Sequence, residues 1–250
     1  MNGERVQKVS QYRTRTYRKR VLARDLISFH VAVKETDLWI SADTSLKKEA
    51  RDLVFDCRHH LETYISLHPE FATTLSAWPE DPYAPLLVRE MIEATKTIGV
   101  GPMASVAGAI AQYVCAGLLR LSSQVIVENG GDICLKANRP VTVAIFAGAS
   151  PLSERFGLLI PVKKMPLGIC SSSATVGHSL SMGVADVVCI LSSSAAMADG
   201  AATALGNQIK GKRDIEKAID RIRDMEEILG GVVIVEDRMA SWGDIELIGL

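Results

Sequence analysis

The sequence predicts an α+β fold, with antiparallel sheets and helices packed on them. Three observations carry this expectation. Short apolar runs bounded by Gly, Asn or Pro alternate irregularly with stretches of helical spacing, without the steady strand–helix rhythm of a parallel sheet. Asn129-Gly130-Gly131 joins two such runs, and Asn-Gly between apolar alternations is first of all a hairpin turn, because both residues tolerate positive φ. Finally, only 5% of the 250 residues are aromatic while 19 are glycine, which favours tightly packed small-residue helices over an aromatic core.

In chain order, residues 12–22 alternate basic with small or apolar residues and read as a strand with one wet face. Residues 27–34 and 37–42 read as a strand pair turning at Glu35 and Thr36. Leu46, Ala50, Val54, Cys57, Leu61 and Tyr64 then recur at helical spacing, with Asp43 or Thr44 placed to cap the helix. A proline-punctuated connection leads to a helix over 86–97. Gly99-Val100-Gly101-Pro102 breaks the chain before a small-residue helix over 103–119. Strands are expected at 124–127, 132–136 and 141–147, a serine- and glycine-rich loop at 169–183, and a buried strand at 185–191. A small-residue helix over 195–208 starts at Ser193 or Ser194. A charged helix over 214–229 and strands at 232–235 and 245–248 close the chain. No composition break or repeat divides it, so residues 1–250 are expected to form a single domain.

Composition removes several function classes. With 48% hydrophobic and 23% charged residues the chain can bury a sizeable core, which excludes disorder as its main state. A net charge of −1, from 28 basic and 29 acidic side chains, argues against a nucleic-acid partner. The N-terminus has no apolar signal segment, so a cytoplasmic protein is expected. The stretch 103–119 is short of a membrane span and carries Gln112 and Tyr113, so no membrane partner is expected. That helix can pack within one chain or across a homo-oligomer. Cys57-Arg58-His59-His60 reads poorly as a metal cluster, since adjacent histidines point to different helix faces.

Three segments could carry chemistry. In Ala198-Asp199-Gly200-Ala201-Ala202-Thr203, placed in the first turn of a helix, Asp199 and Thr203 stand four residues apart on one face. A carboxylate and a hydroxyl beside helix-start amides can hold a hard cation such as Mg2+ together with a phosphate; Asp199 could equally serve only the helix dipole. In the segment from Gly168 to His178, glycine-freed amides with the hydroxyls of Ser171, Ser172, Ser173 and Thr175 make a phosphate cradle, and His178 is a candidate general base. It lacks the GK[ST] ending of a Walker loop. Glu128-Asn129-Gly130-Gly131-Asp132 is the third.

Taken in order, these segments resemble the ApbE-like superfamily, the FAD:protein FMN transferases. Asn129, Gly130, Gly131 and Asp132 match the family's NxGGD signature. Ser172 to Thr175 loosely match its TSG, His178 matches the histidine of HxxDPxTG although SLSMG follows it, and Asp199 and Thr203 match ADAxAT. Gly101 to Ala107 stand in the place of the family's GIAKGYA. The resemblance covers residues 99–210 and is closest to the short, cytoplasmic branch of archaea and anaerobic bacteria. It implies a single ApbE-like domain that binds a flavin nucleotide such as FAD, or a related small phosphorylated ligand. Mg2+ would be held by Asp199, Thr203 and the Ala104 carbonyl, and Asn129 to Asp132 with Ser171, Ser172, Ser173 and Thr175 would bind the cofactor. His178 would deprotonate a threonine hydroxyl of an acceptor protein, and FMN would pass to it from FAD. Ser105 replaces the family lysine, which implies weaker FAD binding that Ser105→Lys should tighten.

Two alternatives remain open. The short branch points to anaerobic sulfur assimilation towards homocysteine, with Cys170 as a thiol whose pKa neighbouring amides could lower. A ligand-binding protein that kept the fold without catalysis is the other.

The five cysteines, Cys57, Cys115, Cys134, Cys170 and Cys189, include no CxxC pair and no zinc spacing, so no structural disulfide is expected. Alkylation of denatured protein prepared anaerobically without reductant should count all five thiols; a count of three or fewer would contradict the expectation.

Overall fold

The computed structural model describes residues 25–175 and 182–250. The strand expected over residues 12–22, and His178, lie outside the described residues.

The fold is α+β in three layers. Eight strands form one continuous sheet, ordered β1 (Ile27–Val33), β2 (Thr36–Ala42), β3 (Val125–Asn129), β4 (Asp132–Lys136), β7 (Leu167–Ser172), β8 (Val187–Ser192), β9 (Ile228–Val235) and β10 (Arg238–Gly243). Every neighbouring pair is antiparallel. Strands β5 (Val141–Ala144) and β6 (Phe156–Ile160) leave this sheet and join β11 (Leu247–Gly249) in a second, three-stranded sheet. Helices α1 (Lys47–Leu67), α2 (Leu86–Lys96) and α3 (Val106–Leu118) fill the connection from β2 to β3. Helices α4 (Ala195–Gln208) and α5 (Ile215–Ile219) fill that from β8 to β9.

The period-2 alternation of the strands sorts these excursions onto opposite faces. Leu38, Ile40, Val127, Cys170, Ile190 and Val233 point to the helices and form one core with them. Ile126, Ile133, Leu135, Ile169, Val187 and Val232 point the other way and pack against Val141, Val143, Leu158 and Ile160 of the small sheet. Strands buried on both faces read as continuous apolar runs, as β3, β8 and β9 do.

Several local expectations need correction. The β1–β2 turn falls at Lys34 and Glu35, with Lys34 at φ 51°, and Thr36 already belongs to β2. Residues 169–172 are not loop but the second half of β7, where small residues are required by close helix packing. A Cβ on Gly168 would stand 2.3 Å from Ala195 Cα. The charged helix expected over 214–229 shortens to α5, because the chain then tightens into three-residue turns, Ile222 N–H to Ile219 O and Met225 N–H to Ile222 O. Strands β6 and β10 were not expected at all.

Asp43 does not cap α1, which starts behind Leu46 without a side-chain cap. It reaches instead to the segment before β3. Its Oδ2 accepts from Ser123 N–H and Ser123 Oγ, both at 2.8 Å, and from Ser122 Oγ at 3.0 Å, while Oδ1 accepts from Gln124 Nε2 at 3.0 Å. These donors lower its pKa to about 2, the Ser123 and Gln124 side chains most. Asp43→Ala should lower Tm at neutral pH by roughly 2–8 °C, for a loss of about 1–2 kcal/mol. Because the folded pKa is depressed, this stabilisation is present above the unfolded value and lost as pH falls. The wild-type advantage, followed by thermal or urea melts, should be constant above about pH 5 and shrink between pH 4 and about 2; an advantage independent of pH would show that the carboxylate's charge does not matter.

Candidate functional site

The site forms where α4 enters the structure. Ser194 caps this helix, its Oγ accepting from Met197 N–H at 3.3 Å, and Gln112 Oε1 of α3 accepts from Ala195 N–H at 2.7 Å. α3 lies so close that a Cβ on its Gly108 would stand 2.2 Å from Ala195 O. The proximity lets Asp199 reach across, and its Oδ2 accepts from Gly108 N–H at 2.9 Å. Asp199 therefore sits in the second turn of α4, not the first, and caps α3 from the neighbouring helix. Asn129 holds the same corner from the sheet, with Nδ2 donating to Ala107 O at 3.0 Å.

One cavity of about 890 Å3 opens at this corner. Ala104, Gly130, Gly131, Asp132, Ser171, Ser172, Ser173, Asp199 and Thr203 all line it. The structure thus brings together most of the candidate residues from four separate segments. Three do not line it. Asn129 faces the start of α3, as above. Thr175 is exposed, and its Oγ1 lies 3.5 Å from Asp186 Oδ1. Cys170 points into the helix-side core, where its Sγ donates to Ala195 O at 3.2 Å. Ser173 and Met182, on either side of residues 176–181, both line the cavity.

The cavity passes around the ends of the strands onto both faces of the large sheet. Asp132, Ser172, Asp199 and Thr203 border it on the helix face. Trp39, Glu128, Ile133, Ile169 and Ser171 border it on the face towards the small sheet. The hairpin tip at Gly130 and Gly131, with φ of 70° and 113°, lies between the two arms. The second arm was not foreseen; its signal is the alternation of β3, which sends Glu128 and Asn129 to opposite faces. Glu128 is buried and its Oε1 accepts from Gly131 N–H at 2.8 Å.

Electrostatically the site is acidic. Among the described residues the charged side chains lining it are Glu128, Asp132 and Asp199, with no Lys, Arg or His. Burial pushes Asp199 up to about 7, against the pull of the Gly108 and Ala107 amides. Burial and the Asp199 carboxylate push Asp132 well above the usual carboxylate range, although its Oδ1 accepts from Ser171 N–H at 3.1 Å. The expectation that amides lower the Cys170 pKa is overturned: burial first, then Asp132 and Asp199, push the thiol well above its ordinary value. Among the described residues no three His, Cys, Asp or Glu side chains form a metal-binding group. A cation here would be held by mixed oxygen donors. The Asp199 carboxylate, the Thr203 hydroxyl and a backbone carbonyl are hard donors suited to Mg2+.

These features can be set beside known proteins. The family model described as "AbpE bacteria" matches residues 18–238. The chain belongs to this family. The UPF0280 protein of Methanocella arvoryzae is 39% identical over 212 residues, covering 84% of this chain and 86% of that relative. The UPF0280 protein of Methanocaldococcus jannaschii is 38% identical over 221 residues, covering 86% and 90%. Among solved structures, the apo flavinyl transferase ApbE of Pseudomonas stutzeri superposes with a TM-score of 0.60 at 15% identity, over 87% of this chain and 93% of that one. A mutant of the flavin transferase ApbE of Vibrio cholerae gives 0.55 at 15% identity, over 87% and 96%. The family thus shares its fold with the ApbE proteins. Among the described residues no helix is long and apolar enough to cross a membrane.

The expected gain from Ser105→Lys does not survive the structure. Ser105 is fully buried, donates from Oγ to Pro102 O at 2.8 Å, and faces α4 at Gly200 rather than the cavity. A lysine there would bury an unpaired ammonium against a helix. The variant should lose about 3 kcal/mol or more of stability, with no gain in nucleotide affinity. A melting curve checks it; wild-type stability with tighter FAD binding would show that the side chain reaches the site.

Proposed function

We propose that this chain binds a phosphorylated nucleotide together with Mg2+ in the cavity at the α3–α4 corner, with FMN transfer from FAD to a protein threonine as the reaction it would support. The observation that carries the proposal is the meeting of Asp199 and Thr203 of α4, Ala104 before α3, the Gly130-Gly131 tip and Ser171 to Ser173 around one cavity. The solved neighbours named as flavin transferases support it through their fold.

Mg2+ in that donor set would neutralise the charge of a pyrophosphate, which the described lining does not offset with any cationic side chain. Asp199, Thr203 and the Ala104 carbonyl would hold the ion. The Gly108 amide fixes the Asp199 carboxylate before any ligand arrives. The serine hydroxyls and hairpin amides would orient phosphate oxygens. His178 would take the proton of the acceptor hydroxyl as that oxygen bonds to the FMN phosphorus and AMP departs. The acceptor protein would approach over the rim at Thr73, Thr74 and Leu75, where Leu75 is exposed. The sulfur-handling alternative draws no support from Cys170, whose thiol is buried away from the cavity.

Thermal melts with Mg2+ and FAD test the site. At 100 times Kd the bound state gains roughly 2.7 kcal/mol, or about 5–10 °C in a chain of this size. Asp199→Asn and Thr203→Val should each lose most of the Mg2+-dependent shift while remaining folded. Equal responses of wild type and both variants, across FAD, ADP and pyrophosphate, would leave the corner a structural joint and remove the enzymatic reading.

A further inference from the structure

The connection between α1 and α2 brings two threonines of the chain itself to the cavity rim. After α1 the chain makes one tight turn, Pro69–Ala72, and Thr73 and Thr74 close it, their N–H groups donating to Glu70 O at 3.1 and 2.9 Å. The turn is pinned from below by Phe71, which is fully buried and meets Tyr64 and Trp78 edge-on, with ring centroids 5.0 and 5.4 Å away. It is pinned from the side by Gly101, where a Cβ would stand 1.9 Å from Thr74 O. The threonine backbone therefore lies against the segment that leads from Gly101 to Ala104. Thr73, Thr74 and Ala104 all line the cavity. The rim is thus built, and its threonines stand on the side of the cation site.

Most other hydroxyls that line the cavity are engaged. Ser28 and Ser41 bond to one another at 2.8 Å, and Ser173 Oγ pairs with Thr175 Oγ1 at 3.3 Å. Ser171 is in hydrogen-bond contact with Cys189, and Ser172 is buried. Thr74 Oγ1 accepts from Ser76 N–H at 3.2 Å and donates to Ser76 O at 3.3 Å. Thr73 differs. It is exposed, and its Oγ1 lies 3.5 Å from Glu70 O, at the limit of a hydrogen bond, so the hydroxyl is open to another partner. We infer that Thr73 is a modification site, a threonine of this chain that accepts FMN from FAD bound in its own cavity. This rests on the reading of the cavity as a site of FMN transfer and names one acceptor for it. Thr73 Oγ1 bonds to the FMN phosphorus, the bond from that phosphorus to the bridging oxygen breaks, and AMP leaves with that oxygen. The hydroxyl proton is released to solvent, and nothing is oxidised or reduced. Carrying the acceptor on the same chain replaces an encounter between two proteins by a unimolecular step.

Incubation of the full chain with FAD and Mg2+, followed by denaturation, intact-mass measurement and peptide mapping, tests this. A single FMN group should survive denaturation on the peptide that holds Thr73, with AMP released in equal amount. Thr73→Ser keeps a hydroxyl and should keep the adduct, whereas Thr73→Val should lose it. The rate per chain should stay constant as the protein is diluted. Flavin attached at any other residue, or an adduct that persists in Thr73→Val, overturns the assignment. A rate per chain that rises with protein concentration also overturns it, since one copy would then be modifying another. If melting curves show Mg2+-dependent FAD binding but no adduct forms, or AMP appears without one, the assignment falls while the binding site stands. If FAD is neither bound nor cleaved, the assignment and the FMN-transfer reading fall together.

Discussion

The site depends on how closely α4 enters between α3 and the large sheet. Ala195, its first residue, has Gly108 on one side and Gly168 on the other, and a methyl group at either glycine would collide with the Ala195 backbone. That wedge brings the Gly108 amide within 2.9 Å of Asp199. A backbone donor at the start of one helix and a carboxylate in the second turn of another then become one polar joint. Small residues matter here for what they allow to approach, and not for flexibility. The same requirement explains the alanine-rich face of α4 and the glycine and serines of β7 beneath it.

Period-2 geometry does the rest. Along β3 and β4, Asn129 and Asp132 face the helices while Glu128 and Ile133 face the small sheet. A cavity that passes the hairpin tip therefore meets different chemistry on each side. On the helix face it finds carboxylates and hydroxyls, the material of a cation and phosphate site. On the other, among the described residues, it finds Trp39, Ile133 and Ile169 with Glu128, Ser41 and Ser171 among them. The division follows from inserting helices between β2 and β3 and between β8 and β9, but strands between β4 and β7.

Much of the fold could be read from the sequence because the residues that define it are local. The heptad-like stripe of α1, the prolines before α2, the Ser194 cap of α4 and the Asn-Gly-Gly hairpin each signal themselves within a few residues. What could not be read depends on tertiary partners. The second half of β7 looked like a loop because its Ser171 and Ser172 carry poor strand propensity, yet neighbouring strands and α4 impose the extended form. Asp43 stands where a cap should, but donors about eighty residues away at 122–124 outbid the helix start. The chain end of the expected 214–229 helix fails because burying Ile222 is achieved by tight turns. Of the candidate site, Asp199, Thr203, Asp132 and the serines were visible as polar residues beside glycine. Glu128 was visible only as the flank of a turn, since nothing local says that its face is covered by a second sheet.

The buried acids give the corner its chemical character. Asp132 and Asp199 are both buried, which disfavours their ionisation, and the Asp199 carboxylate raises Asp132 further. The protein does not relieve this with cations among the described lining residues. It offers backbone amides instead, Gly108 to Asp199 and Ser171 to Asp132, which are partial charges that cannot move. Amides hold the two carboxyl groups in place, while burial disfavours their ionised form. For Cys170, sealed in the core behind the same carboxylates, burial first and then Asp132 and Asp199 oppose thiolate formation. The one arrangement thus disfavours thiolate formation at Cys170, and it does so through the placement of α4 rather than through any single reactive side chain.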